Sequence, residues 1–305
     1  MANTSKRPPK SDREPVVHPP IPLSLARGLA AVGASPALLV SSFLGVLVFW
    51  LAFSAYVGVL AAVPPALMVL FESLPPLHSL AVDIQFLAAG RTTSAAVPVA
   101  FAAGLLVVRA ALSSFWISLI LDALEPRPVR RNSLREAGAR AARSLPAMIG
   151  IELGFIALIL LSLMIAGTFL GASFGQIGVI VALVGGTYLF VFAPVIAVAE
   201  QRSARASIPL ALRTARLPGP RHLVFTMGYI ALSLFVSQAV PGSRGAQATP
   251  SFPVWVYALF VNFLHVSVLA ALVYRWLAVR EYVLRQEGEG HRSPGSMRPK
   301  KARGA

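Results

Sequence analysis

The sequence contains no cysteine, which excludes disulfide bonds, thiolate metal sites and thiol chemistry. It is also poor in charge, since only 13% of its 305 residues are Asp, Glu, Lys or Arg, whereas a soluble domain has about 25%. Hydrophobic residues make up 56% of the chain, and the mean hydropathy is +0.71. A soluble protein of this size needs a charged surface. The composition therefore argues against a soluble helical protein.

The chain also lacks the H-E-x-x-H, P-loop and dinucleotide-binding motifs, so we expect no metal ion and no cofactor. The segment GASFG, residues 171–175, matches the G-x-S-x-G nucleophile pattern around Ser173. That pattern acts at a turn from a strand to a helix, but here it joins two hydrophobic runs, so a serine hydrolase is disfavoured. We interpret Gly167, Gly171 and Gly175, four residues apart, as points of close helix approach.

Long hydrophobic runs are the main feature that is present. A bilayer-crossing helix needs about 20 apolar residues, and six runs reach that length: 37–62, 96–121, 147–170, 175–199, 222–240 and 253–278. Backbone polar groups inside lipid must bond within their own segment, so we predict that each run is a helix. The third and fourth runs meet at GTFLGASFGQIG, which has no charged residue and predicts a tight hairpin.

The positive charges alternate with these runs. The stretch LEPRPVRRNSLREAGARAARSLPAM (124–148) contains six arginines. Of the 27 Lys and Arg residues, 24 lie before run one, after runs two and four, or from Arg275 at the end of run six onwards. This asymmetry predicts that both termini are cytoplasmic. Abundant Arg and Ala with only four Lys suggest a bacterial genome, and hence the inner membrane. Nucleic-acid binding needs no such alternation and favours interleaved aromatic residues, so we do not expect it.

Three similar segments precede the odd-numbered runs. Each starts with a serine, a favoured N-cap, at Ser24, Ser133 or Ser207, and reaches a proline eleven to thirteen residues later. Apolar residues at helical spacing with arginines beside them predict short basic helices in the membrane interface; ordinary loops are the alternative. The candidate ligands for anionic lipid headgroups are Arg130, Arg140, Arg143, Arg205, Arg213 and Arg216.

The segment PVIAVAEQRSARASIPLALRTARLPGPRHL resembles one that follows the fourth span in a group of bacterial six-helix membrane proteins. This group includes the membrane domain joined to some glycerophosphodiester phosphodiesterases. The matching positions are Pro194, Glu200 and residues 211–214. The resemblance is mostly topological and implies a fold, because the family's activity is largely unassigned. His291 lies in a predicted tail without the acidic metal ligands that a phosphodiesterase needs.

Arg109 lies near the middle of the second run, where a charge costs about 2.5–3.5 kcal/mol on insertion scales. Its candidate partners are Glu152 in run three and His265 and Asn262 in run six. Three interpretations stay open: a functional polar site, a structural ion pair, or a span that ends at Arg109 and continues as an interfacial helix.

Together these patterns predict an all-α, polytopic membrane bundle of six transmembrane helices, arranged as three hairpins that each follow a short basic interfacial helix. We predict disordered basic tails at 1–22 and 286–305 and a membrane domain at 23–285. The favoured function is non-enzymatic engagement of anionic lipid in the bilayer, with a membrane-protein partner or a homo-oligomer as further possibilities. The alternative is a transporter or permease-like subunit that uses the site around Arg109.

Overall fold

The computed structural model describes residues 16–57, 96–125, 133–238 and 252–291. Within these ranges the chain forms nine α-helices and no β-strand, which confirms the all-α prediction for this part of the chain. The helices are α1 (Ile21–Ala34), α2 (Pro36–Val57), α3 (Ala96–Leu124), α4 (Ser133–Leu170), α5 (Ala172–Phe190), α6 (Ala193–Ala199), α7 (Ala204–Ala215), α8 (Arg221–Gln238) and α9 (Phe252–His291).

Four segments are long and apolar enough to cross a bilayer, namely Ala103–Leu124, Leu134–Phe169, Ile180–Ala199 and Phe252–Glu287. Helices α1 and α2 meet at a bend of 88°, and this bent pair is a fifth candidate if it forms one span. Helix α8 occupies the fifth predicted run but is not among these candidates. Where the sequence predicted six spans, the described residues therefore contain four or five.

Large apolar side chains are exposed along the candidate spans. On α2, Val40, Leu44 and Val48 recur every four residues and are each more than half exposed. On α4, Met164 and Phe169 are 67% and 80% exposed. Soluble monomers rarely expose apolar patches of this extent. Contact with lipid tails explains why these side chains remain outside the core.

Helices α4 and α5 form an antiparallel hairpin, and Gly171 alone connects them. This glycine has a φ of +96°, which side-chain-bearing residues rarely adopt. A Cβ on Gly178 would lie 2.6 Å from that of Ala166, and one on Gly186 would lie 2.9 Å from Phe155. A tight turn at Gly171, within the predicted segment GTFLGASFGQIG, thus joins α4 and α5, and the arrangement as three hairpins stays a prediction. The close approach, however, is at Gly178 and Gly186, whereas Gly167 and Gly171 face open space.

The helix starts and breaks differ in part from the prediction. Pro36 begins α2 after the end of α1, as predicted, but α4, which packs against α3, α5 and α6, runs unbroken through Pro146. Ser24 and Ser207 lie inside helices rather than at N-caps. Each hydroxyl donates to the carbonyl four residues earlier, a bond that serine makes readily within a helix.

Helix α9 lies at the centre of the packing, in contact with α1, α2, α3, α6 and α7. Its residues 265–273 are all buried. Gly28 lets α1 approach α9 closely, because a Cβ there would lie 2.8 Å from the backbone nitrogen of Ala271.

Two predicted tails are shorter than expected: residues 16–22 are packed or helical, and α9 continues to His291. Burial of His18 explains the first difference.

Candidate functional site

Arg109 and Glu152 form an ion pair between α3 and α4. The Nη2 atom of Arg109 donates to Oε2 of Glu152 at 3.2 Å, and their side chains are only 4% and 6% exposed. Helix α3 continues for fifteen residues beyond Arg109, so its position does not mark the end of a helix. The structure thus places the predicted pair together and argues against the shifted boundary.

The other two predicted partners lie at different helix pairs. Asn262 of α9 donates from Nδ2 to the hydroxyl of Ser42 on α2 at 2.9 Å. His265 packs its ring edge-on against Tyr229 of α8, with the ring centroids 6.1 Å apart. The four predicted residues therefore occupy three helix contacts, α3–α4, α2–α9 and α8–α9.

Several arginines converge with carboxylates at one end of the bundle, which we call the basic end and define by Arg140, Arg143, Arg202 and Arg280. Arg140 pairs with Asp122 at 2.9 Å. The remaining ion pairs of this group are Arg202–Glu287 at 2.8 Å, Arg280–Glu125 at 3.2 Å and Arg280–Glu200 at 2.8 Å. These pairs join α3, α4, α6 and α9, so the protein's own acidic groups neutralise most of these arginines.

A cavity of about 370 Å³ opens between these charged side chains. It is lined by Leu121, Glu125, Glu136, Ala139, Arg140, Arg143, Ala199 and Arg280. Arg143 also donates from Nε to the side chain of Gln201 at 3.0 Å. Two carboxylates, Glu125 and Glu136, offset two of the three guanidinium groups in the lining, so little positive charge remains for an external anion.

Helix α7 presents a different kind of arginine. It buries Leu210, Ala211 and Ala215 against the bundle and exposes Arg205 and Arg213 to the outside. Arg216, at its C-cap, is exposed as well. Among the described residues, none of these three arginines forms a salt bridge or a side-chain hydrogen bond. Of the six headgroup candidates, Arg130 lies outside the described residues.

A buried basic cluster was not predicted from the sequence. His18, before α1, places Nε2 2.9 Å from the carbonyl oxygen of Thr214, and His222 places Nε2 2.8 Å from that of Tyr188. The two rings lie 5.2 Å apart, and His18 stacks on Phe192. Burial lowers the pKa of His18 to about 4, and the nearby positive charge of Arg275 acts in the same direction, while the hydrogen bond to Thr214 opposes both.

Two arginines hold the N-terminal segment against this cluster. Arg221 donates to the backbone oxygen of His18 at 2.8 Å, and Arg275 donates to that of Pro19 at 2.9 Å. We call residues 16–20 the N-terminal strap. No periodic pattern in the sequence indicates the strap, because a proline-rich segment without helical spacing is typical of disorder.

Fold and site together define an all-helical protein whose apolar helices are long enough to cross a membrane several times, with arginines concentrated at one end. No family model, curated protein or solved structure matches this chain. The resemblance to the phosphodiesterase-associated membrane family stays a prediction.

Proposed function

We propose that this chain is a non-enzymatic, six-span protein of a bacterial inner membrane that binds anionic lipid headgroups with α7 on the cytoplasmic side. The observation that carries the proposal is the contrast between two groups of arginines. Arg140, Arg202 and Arg280 bond to carboxylates of the same chain, whereas the arginines of α7 are exposed and lack such partners in the described residues. Their charge is therefore available to an external anion.

The packing of α7 against the bundle supports headgroup binding. Its apolar face packs against α4, α5, α6 and α9, so the backbone that carries the arginines is fixed. A guanidinium on a fixed backbone loses less conformational freedom when it binds than one on a flexible loop. Near an anionic leaflet each basic residue contributes about 1 kcal/mol.

Helix α1 supports the same location in the membrane. It meets α2 at 88°, which is the relation expected between a helix in the interface and a helix that crosses the bilayer. Leu23, Leu25 and Leu29 are 37–45% exposed on α1, and Arg27 is exposed as well. Exposed leucines beside an arginine fit the boundary between acyl chains and headgroups.

The proposal is tested by reconstituting the protein in mixed phosphatidylcholine bilayers and measuring the association of spin-labelled phosphatidylglycerol relative to spin-labelled phosphatidylcholine. We expect the wild type to select phosphatidylglycerol. The variant R205Q/R213Q/R216Q should lose up to about fivefold in selectivity per lipid contact, the equivalent of about 1 kcal/mol. Salt should weaken the wild-type preference, because these charges are exposed.

The matched control is R135Q/R285Q/R298Q, which removes the same charge from two other exposed arginines and from Arg298 near the C-terminal end of the sequence. It should retain most of the selectivity. If both triple variants lose selectivity equally, net charge rather than α7 determines lipid binding, and the proposal is wrong.

A further inference from the structure

The buried basic cluster contains a guanidinium that is only half satisfied. Arg275 is fully buried; its Nη1 donates to the oxygen of Pro19 at 2.9 Å and lies 3.5 Å from the hydroxyl of Ser24. Its plane packs over Phe225, with 4.7 Å between Cζ and the ring centroid. Nε and Nη2 are buried and have no hydrogen-bond partner among the described residues.

The two unbonded nitrogens lie on the same edge of the planar guanidinium. That edge is the fork with which arginine binds two oxygens of a carboxylate or a phosphate. Among the described residues, no carboxylate pairs with Arg275. An unpaired buried charge costs several kcal/mol, and the nearby groups (Arg221, His18 and His222) add no negative charge. Within the part of the chain that the structure describes, the cluster therefore has no counter-charge.

The imidazoles complement this fork. A carbonyl oxygen can only accept, so the hydrogen bonds to Thr214 and Tyr188 place the ring proton of each histidine on Nε2. In the neutral ring, Nδ1 then carries a lone pair and is an acceptor. Nδ1 of His18 and Nδ1 of His222 are both buried without a partner in the described part of the chain. The cluster thus offers two donors on Arg275 and two acceptors on the histidines.

We propose that this cluster is a binding site for a phosphomonoester-type anion. Two of its oxygens accept from Nε and Nη2 of Arg275, and its remaining P–OH donates to an imidazole Nδ1. A phosphodiester has the acceptor oxygens but no P–OH donor, so it should bind more weakly. The anion is either free inorganic phosphate or the headgroup of phosphatidic acid.

The position of Arg275 along α9 is compatible with a lipid source. Measured from Phe252, it lies about 35 Å along the helix at about 1.5 Å per residue, and the hydrocarbon core is about 30 Å thick. If α9 enters the membrane near Phe252, Arg275 lies at the depth of the opposite headgroups. His18, His222 and Arg275 are buried, and the N-terminal strap forms part of their cover through its bonds to Arg221 and Arg275.

The test is the thermal unfolding of the full-length protein at constant ionic strength and neutral pH. Inorganic phosphate is added in detergent, or phosphatidic acid is included in lipid nanodiscs, with phosphatidylglycerol as the phosphodiester control. We expect a rise in Tm with inorganic phosphate, with phosphatidic acid or with both, by mass action on the folded state, and this rise should exceed any that phosphatidylglycerol produces through α7. A rise with inorganic phosphate indicates a soluble ligand; a rise with phosphatidic acid alone indicates a lipid.

Arg275→Lys keeps the charge but removes the fork, and should weaken binding at least about tenfold. Arg135 is exposed on α4 and belongs to neither proposed site, so Arg135→Gln should bind like the wild type. If Arg275→Lys does not fold, ³¹P NMR of the wild type tests the proposal instead, because phosphate that binds to the protein gives a broadened or shifted signal. The proposal is overturned if neither inorganic phosphate nor phosphatidic acid binds to or stabilises the wild type. It is also overturned if phosphatidylglycerol raises the Tm as much as phosphatidic acid does, or if these anions stabilise Arg275→Lys as much as the wild type.

Discussion

Arg109 and Glu152 illustrate how a charge is tolerated in the middle of an apolar helix. Each side chain is almost fully buried and the two face each other across the α3–α4 contact. Such a pair is costly to break, because removal of one partner leaves the other charge uncompensated. At the scale of the residue, the geometry favours the structural interpretation of the pair, and the transporter hypothesis stays a prediction.

We predict that Arg109→Leu lowers the free energy of unfolding by about 3–5 kcal/mol, because Glu152 then remains buried without its partner. The double variant Arg109→Leu/Glu152→Leu should recover most of this loss, since two apolar side chains fit the same place in the bundle. Chemical unfolding in detergent micelles measures the free energy of unfolding of the single and the double variant. If Arg109→Leu is as stable as the wild type but changes a solute flux in liposomes, the result would instead support a functional site at this pair.

The sequence predicted this pair because a charge within a hydrophobic run demands a partner. It did not predict the role of Arg275. That arginine, near the end of the last run, was grouped with the basic residues of the C-terminal side, where exposure is expected, but the structure buries it completely. Its burial depends on the strap, which lies 256 residues away in sequence, and local periodicity carries no information about such a contact.

At the scale of the element, the contact between α1 and α9 depends on a residue without a side chain. Gly28 faces the backbone of α9 at Ser267 and Ala271, whereas Gly33 on the same helix has nothing within 4 Å of an added Cβ. The two glycines therefore form a matched pair, one at a packed position and one at an open position.

We predict that Gly28→Ala destabilises the protein by about 1–3 kcal/mol, because the added methyl group meets backbone atoms that cannot move independently. Gly33→Ala should be neutral or stabilising by about 0.5–1 kcal/mol, because alanine restricts the unfolded chain and favours the helix. Thermal unfolding of the two variants side by side checks both. Equal effects would show that α1 does not pack on α9 as described.

Element boundaries were predicted less well than element identity. Hydrophobic runs located α2, α3, α4, α8 and α9, since a long apolar segment has few structural alternatives. They did not show that α4 continues through Pro146 or that residues 191–192 interrupt the fourth run. Both outcomes depend on neighbouring helices that either hold a backbone straight or allow it to turn.

At the scale of the whole molecule, the number of spans determines the orientation of the chain. Six spans place both termini on one side of the membrane, whereas five place them on opposite sides. Because the sequence contains no cysteine, the orientation of each segment can be measured with a single introduced cysteine, whose thiol is then the only one in the sequence.

We predict that in intact cells a membrane-impermeant maleimide labels Ser243→Cys, between the fifth and sixth predicted runs, but not Ser5→Cys or Ser293→Cys. The two terminal variants should react only after permeabilisation, because the arginine-rich segments are retained in the cytoplasm. Labelling of one terminus but not the other in intact cells would establish an odd number of spans and contradict the six-span arrangement.

The contact between the N-terminal strap and Arg275 also has a consequence during synthesis. The strap leaves the ribosome first, but the arginine that holds it is translated 256 residues later. At about 5–20 residues per second, this interval is on the order of ten seconds to a minute. Throughout that time His18 and its neighbours have no completed binding surface. The N-terminal strap is therefore among the last described segments to reach its final position.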